Sequence, residues 1–177
     1  MSADIYYNMV KNKIVAVPTM FVWQMSNVGK VQTIGIDINF GGKISLAPEY
    51  KLQFNASYNF MQAQDITNRN SKLWRSQIAY TPKHSGAGGC SIDFPWFTLG
   101  YNITWAGERY FRAQNSEDNL IEQYTDHSIN LSKRIEKGRH KLYIQANAKN
   151  LSGKNYEIIR FYPMPGRNYN ITISYSI

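Results

Sequence analysis

From Tyr169 to Ile177 the chain alternates without a break. Tyr169, Ile171, Ile173, Tyr175 and Ile177 fall on one side, and Asn170, Thr172, Ser174 and Ser176 on the other. Successive side chains of a strand point to opposite faces, so this segment predicts a strand with one apolar and one polar surface. Chain ends are ordinarily frayed and polar. A stripe that stays apolar to its last residue needs an apolar cover along its length, and its back needs water or polar partners.

The same period recurs upstream. Ile34, Ile36, Ile38 and Phe40 alternate with Thr33, Gly35, Asp37 and Asn39. Leu52, Phe54, Ala56, Tyr58 and Phe60 alternate with Gln53, Asn55, Ser57 and Asn59. Phe97, Leu99, Tyr101, Ile103 and Trp105 stand against Thr98, Gly100, Asn102 and Thr104. Shorter runs carry Ile129 and Leu131, then Leu142, Ile144, Ala146 and Ala148. Trp74, Ile78 and Tyr80 predict a further strand over 74–81, closed by Pro82, and the glycine-rich stretch 84–89 predicts a flexible turn. With a less regular strand over Ile5 to Val17, the count comes to about eight, and no helical period is found.

Alternation alone leaves two architectures open. In a soluble sandwich the apolar faces meet each other in a core. In a membrane barrel they meet lipid. Three features favour the barrel. The stripes are long: a strand of about ten residues spans roughly 33 Å and, tilted by about 40°, covers the roughly 25 Å apolar band of an outer-membrane barrel. Connections alternate, short at Pro48 and Gly138 and long after Ala63, Gly107 and Asn150, with 84–95 an intermediate exception. Long loops at one end and short turns at the other are typical of such barrels. Aromatic residues end the stripes at Phe97 and Trp105, and at Tyr169 and Tyr175, as interfacial girdles do. Charged residues make up only 18% of the chain and aromatics 14%, a mixture that such two-faced strands produce.

The net charge of +8 comes from scattered Lys and Arg, with small clusters at Lys11–Lys13 and Lys133–Lys141. No long basic run points to nucleic acid, and none is expected as a partner. Cys90 is alone, so no disulfide within the chain and no cysteine zinc cage can form. His84, His127 and His140 lack ligand spacing and are expected at turns and strand ends. No nucleophile elbow and no phosphate loop occurs, so neither an enzyme nor a bound cofactor is expected. No run of 18 apolar residues predicts a spanning helix, and the start lacks the pattern of a signal peptide. Within 107–123, Arg109, Tyr110 and Arg112 are candidates for contacting an anionic or aromatic ligand, and Glu117 and Asp118 for a cation or ligand.

The segment Asn155-Tyr156-Glu157, then Tyr162 to Arg167, then the alternating final strand, resembles the carboxyl terminus of TonB-dependent outer-membrane receptors. The vitamin B12 (cobalamin) transporter type looks nearest. Gly35-Ile36-Asp37 resembles that family's recurrent strand opening, and Asn150-Leu151 the pair before its last loop. The resemblance implies an all-β fold in which residues 1–177 are the carboxyl-terminal part of an antiparallel up-and-down transmembrane β-barrel. It also implies bacterial outer-membrane location, a plug domain and further strands elsewhere, and dependence on TonB through that plug. The implied partners are outer-membrane lipid, the barrel-assembly machinery and a scarce transported ligand such as cobalamin or a siderophore. No plug is recognisable in the sequence, which suggests a fragment or truncated product. The family usually ends on an aromatic residue, where this chain has Ile177. In a closed barrel the terminal strand Tyr169, Ile171, Ile173, Tyr175, Ile177 would complete the wall. A self-contained eight-strand anchor or adhesin is the alternative, and a soluble polyanion-binding sandwich a further one.

Overall fold

The computed structural model describes residues 1–18 and 21–177. Eight strands hydrogen-bond side by side: β1 (Ser2–Pro18), β2 (Trp23–Ala47), β3 (Tyr50–Asp65), β4 (His84–Asp93), β5 (Thr98–Ala106), β8 (Tyr124–Lys137), β9 (His140–Lys149) and β12 (Asn168–Ser176). Every neighbouring pair is antiparallel. The loops carry two small two-stranded sheets, β6 (Arg109–Tyr110) with β7 (Leu120–Ile121), and β10 (Glu157–Ile159) with β11 (Tyr162–Pro163). A 3-10 turn at Glu117–Asn119 precedes β7.

The register carries the period-two pattern across the whole sheet. One row runs Ile171, Ala146, Leu131, Leu99, Ile92, Leu52 and Ile44, each directly opposite the next. One residue away, on the other face, the row reads Asn170, Asn147, Asn130, Gly100, Ser91, Gln53 and Lys43. A slip by one residue would exchange the two faces, so the pattern fixes the register. The polar face satisfies itself laterally: Asn147 Nδ2 donates to Asn170 Oδ1 at 2.7 Å, Gln53 Nε2 to Asp93 Oδ2 at 3.2 Å, and Asn59 Nδ2 to Asp37 Oδ1.

Nothing among the described residues covers the apolar face. Ile171 is 73% exposed and Ile173 67%. The only buried apolar cluster among the described residues is Val31, Ala63 and Ile78, with Val15, Val28 and Met61 packed on it, at the long-loop end of the sheet. A soluble sandwich would bury these stripes against a second sheet, and that architecture is absent here.

Two expectations need correction. Residues 74–81 are not a strand. Arg75 and Tyr80 hold φ near 64° and 59°, in the left-handed region closed to strands, and the segment hooks back on the end of β3. Its contacts there include one bridge, Gln64 to Gln77, and the backbone bonds from Ile78 N–H to Ala63 O at 2.8 Å and from Arg75 N–H to Asp65 O at 2.8 Å. Its apolar residues serve to seat the hook, since Ile78 and Ala79 are buried. Arg75 therefore lies in a loop rather than on a strand face. Conversely, the glycine-rich segment starting at His84 is strand β4. Its glycines answer to crowding: a Cβ on Gly86 would come within 2.5 Å of Trp105 Nε1 and 2.7 Å of Ser57 O. With β4 in place the exception in loop length disappears. The connections at 48–49, 94–97 and 138–139 are short and share one end; those at 66–83, 107–123 and 150–167 are long and share the other.

Candidate functional site

The three long loops are locked to one another above the end of the sheet. Gln77 is the first lock. Its Oε1 accepts from Ala63 N–H, while its Nε2 donates to Met61 O and Thr81 O. Its backbone exchanges bonds with Asn115, N–H to Oδ1 at 2.6 Å and Nδ2 to O at 3.1 Å, which joins loop 66–83 to loop 107–123. Tyr80 N–H adds a bond to Tyr110 O at 2.8 Å.

Arg109 is the second lock. It is 3% exposed and aims its guanidinium at backbone carbonyls: Glu122 O at 3.2 Å, Ile158 O at 3.3 Å, and Glu157 O. These bonds tie loop 107–123 to loop 150–167. The guanidinium also lies 5.3 Å from the centre of the Tyr124 ring. Burial makes the charge less favourable and lowers the Arg109 pKa, while the nearby Tyr124 and Tyr80 oppose that shift.

Tyr124 stacks on Tyr156 with centroids 4.5 Å apart and planes 8° from parallel. Tyr156 Oη donates to Asp126 Oδ2 at 2.7 Å, and Asp126 Oδ1 accepts from Asn150 N–H at 3.0 Å. Burial, then the bond and charge of Asp126, raise the Tyr156 pKa. Asn150 is fully buried and holds the last loop closed, donating from Nδ2 to Lys154 O and Pro165 O. Tyr124 and Asp126 oppose Ala106 and Thr104 on the polar-face register, so the loops fold toward the polar side of the sheet.

An apolar cleft of about 280 Å³ opens within this cap, lined by Trp23, Tyr80, Pro82, Tyr124, Ile158 and Ile159 among others. The Tyr80 hydroxyl is shielded, and burial raises its pKa against the opposing pull of the Arg160 backbone. A wider, more polar cleft of about 590 Å³ lies between loops 107–123 and 150–167, lined by Glu108, Glu122, Gln123, Lys154 and Tyr156 among others.

The expected loop residues part company. Arg109 is buried in the lock just described. Tyr110 is half-buried, and Arg112, Glu117 and Asp118 are exposed. The structure adds Trp23, Tyr80, Tyr124, Asp126, Asn150 and Tyr156. Asn150-Leu151 and Asn155-Tyr156 stood out in the sequence; the roles of Tyr124 and Asp126 depend on loops that meet only in three dimensions. The histidines pair singly with tyrosines, His84 with Tyr58, His127 with Tyr101 and His140 with Tyr175, at 2.9, 2.6 and 2.6 Å. Among the described residues no group of His, Cys, Asp and Glu is placed to hold a metal ion.

Residues 1–151 match the family described as TonB dependent receptor-like, beta-barrel. The chain belongs to this family. Solved structures of similar fold include BauA, the ferric preacinetobactin receptor of Acinetobacter baumannii, at 17% identity and TM-score 0.70 over 99% of this chain. The siderophore receptor PiuA of the same organism gives 17% and 0.72 over 98%, and the copper transporter OprC gives 16% and 0.68 over 99%. The chain spans about a quarter of each, 26%, 25% and 28% respectively. Seen as part of a TonB-dependent receptor, the sheet is a section of barrel wall, and its place is the outer membrane. Its long loops belong to the extracellular end and its short turns to the periplasmic end.

Proposed function

We propose that this segment forms the last strands of an outer-membrane receptor that imports a scarce ligand, a ferric siderophore being the first class to test and cobalamin the next. The apolar stripes would face acyl chains and the amide-rich rows the lumen, where a plug domain engages TonB. The barrel-assembly machinery would insert the wall, reading the terminal strand that ends at Tyr175 and Ile177. The observation that carries this reading is the uncovered apolar face, continuous in register from β2 to β12. Lipid is the solvent that such an apolar face requires, and a sheet closed into a barrel keeps every backbone group paired there.

The extracellular cap supplies one wall of a ligand site. Its apolar cleft suits the organic body of a chelate, and the exposed Arg112, Glu117 and Asp118, with the half-buried Tyr110, offer polar contacts from loop 107–123. Solved structures with this fold include a ferric siderophore receptor and a copper transporter, so fold alone does not select the cargo. The test is direct binding to the complete receptor in detergent. A panel of ferric siderophores, cobalamin and copper would be titrated while following tryptophan emission, with Trp23→Phe as the reference. Saturable quenching by one ligand, reduced in the variant, is expected. Recovery of the protein in the soluble fraction without detergent would defeat the proposal.

A further inference from the structure

We infer that the periplasmic end of the β8–β9 hairpin is a docking surface for anionic phospholipid headgroups of the inner leaflet. This rests on the reading that the apolar face meets lipid. The register places Ile129, Leu131, Lys133, Ile135 and Lys137 of β8 on that face, opposite Ala148, Ala146, Ile144, Leu142 and His140 of β9. Two positions of an otherwise apolar stripe are therefore lysines. Arg139 sits in the turn between the strands, beside Gly138, and all of these cations are exposed. His140 is held against Tyr175, its ring stacked at 5.9 Å and 12° and its Nδ1 2.6 Å from Tyr175 Oη.

Among the described residues no side-chain carboxylate forms an ion pair with these charges. Glu136, the nearest carboxylate in sequence, pairs in register with Lys141 on the lumen face. Among the described residues the one ion pair is Arg160 with Glu157, in the loops at the opposite end. The other two periplasmic turns are built differently. At 94–97 the chain offers Phe94, Pro95, Trp96 and Phe97, with Phe94 stacked on Phe97 at 4.7 Å and edge-on to Tyr50 at 5.9 Å. At 48–49 it offers Pro48 and Glu49. The 94–97 turn, with Tyr50 against it, anchors by neutral aromatic rings, the ordinary interfacial device, and the 48–49 turn carries no cation. Among the described residues the lipid-face cations at this end lie on this one hairpin, while others there, such as Lys43, Lys51 and Lys141, fall on the lumen face.

Lysine in such a stripe extends its apolar stem along the wall and brings its ammonium to the headgroups. Lys133 lies four residues from Lys137, roughly 13 Å along the strand and about 10 Å in depth at the usual tilt, within range of that manoeuvre. A phosphate-bearing headgroup would sit between Lys133, Lys137 and Arg139, with Tyr175 and His140 at its flank. Attraction of this kind is worth about fivefold in partitioning per cation and weakens with salt.

The test uses the complete receptor in nanodiscs of phosphatidylethanolamine and phosphatidylglycerol. Lipid co-purifying after detergent exchange is quantified for the wild type, for the lipid-face variant Lys133→Gln/Lys137→Gln/Arg139→Gln, and for the lumen-face control Lys43→Gln/Lys51→Gln/Lys141→Gln. The control removes equal charge from the same end. Retained phosphatidylglycerol is expected to fall at least tenfold in the first variant and to stay within twofold in the control. Equal loss in both, or loss in neither, overturns the inference, and so does retention of phosphatidylethanolamine in equal measure. Should the triple variant fold poorly, Arg139→Gln alone, in the turn, is expected to lose about fivefold. A fluorophore on Cys90, exposed and in register with Phe54 and Tyr101 on the apolar face, reports separately on the parent reading. Quenching there by chain-labelled lipid keeps the wall in the membrane even if the headgroup result is negative. No quenching removes the membrane reading itself, and the inference with it.

Discussion

At the scale of single residues the cap depends on two polar side chains acting at a distance in sequence. Arg109 closes the gap between two loops with a forked donor that meets several carbonyls at once, a geometry lysine does not reproduce. Arg109→Lys is expected to cost about 1–3 kcal/mol of loop docking, because buried carbonyls lose their partners. Limited proteolysis should then cut both 107–123 and 150–167, whereas damage to one loop alone would contradict the lock. Tyr156→Phe keeps the stacking on Tyr124 and removes the donor to Asp126, at a cost of about 1–2 kcal/mol. Amide exchange over 150–160 should quicken roughly tenfold, and exchange in β5 should not change. The same bond has a pH signature. The Tyr156 pKa is raised in the folded state, so its contribution is fully present below the ordinary tyrosine pKa of about 10 and is lost as pH rises through the higher folded value. Loop opening measured by exchange should therefore grow above about pH 10 in the wild type and show a weaker rise in Tyr156→Phe. Arg109, Tyr110 and Arg112 stood out in the sequence as candidates for contacting an anionic or aromatic ligand. What the sequence withheld was depth: nothing in the spelling of 107–123 says that Arg109 points at carbonyls of a loop some fifty residues later while Arg112 stays in solvent.

At the scale of elements, the two faces of each strand impose opposite rules, and substitutions should read them out. Ile173→Arg places a charge on the apolar face in mid-strand, opposite Ile144, and is expected to cost about 2–4 kcal/mol of folding into bilayers. Thr172→Arg, one residue away on the lumen face, is expected to fold normally. Heat-modifiable migration of the refolded complete barrel separates the two, and similar defects in both would undo the face assignment. Gly86→Val tests β4. The new side chain meets Trp105 and the carbonyl of Ser57, so the strand must move or the indole must leave. A loss of about 1–3 kcal/mol is expected, recovered in part by Trp105→Ala, which makes room beside Gly86. Strands with a strict alternation of Ile, Leu and aromatic residues against Asn, Ser and Thr were legible because the period itself is the physical requirement. β4 was not, since its side of the contact is supplied by Trp105 and Tyr58 from neighbouring strands and its own residues shrink to glycine. The hook at 74–81 misled for the opposite reason: it has apolar side chains at strand-like intervals, but two residues with positive φ turn the backbone, and Ile78 packs on Ala63 and Val31.

At the scale of the whole molecule, the sheet has two free margins. β12 hydrogen-bonds only to β9, and β1 only to β2, among the described residues. Soluble proteins protect such margins with charge, proline or a bulge. β12 has none of these: Asn168–Ser176 contains no charged residue and no proline. β1 is nearly as bare from Ile5 to Val10, where Tyr, Asn and apolar residues follow one another. An unprotected margin on a lipid-facing sheet leaves a row of donors and acceptors in a medium that offers them nothing, at several kcal/mol per group. Both margins therefore call for partners, which in the proposed receptor would be strands of the rest of its barrel. Residues 1–177 produced by themselves in detergent should accordingly self-associate through these edges, and light scattering after gel filtration should report assemblies larger than one chain. Pairing should protect the β12 amides from exchange in those assemblies as strongly as it protects those of β5. Breaking the margin with Ile171→Pro should reduce self-association, because the ring removes a donor and clashes with an incoming strand. A monodisperse single chain whose β12 amides exchange freely would mean that the edges tolerate being open, and the argument from backbone satisfaction to a larger barrel would fail.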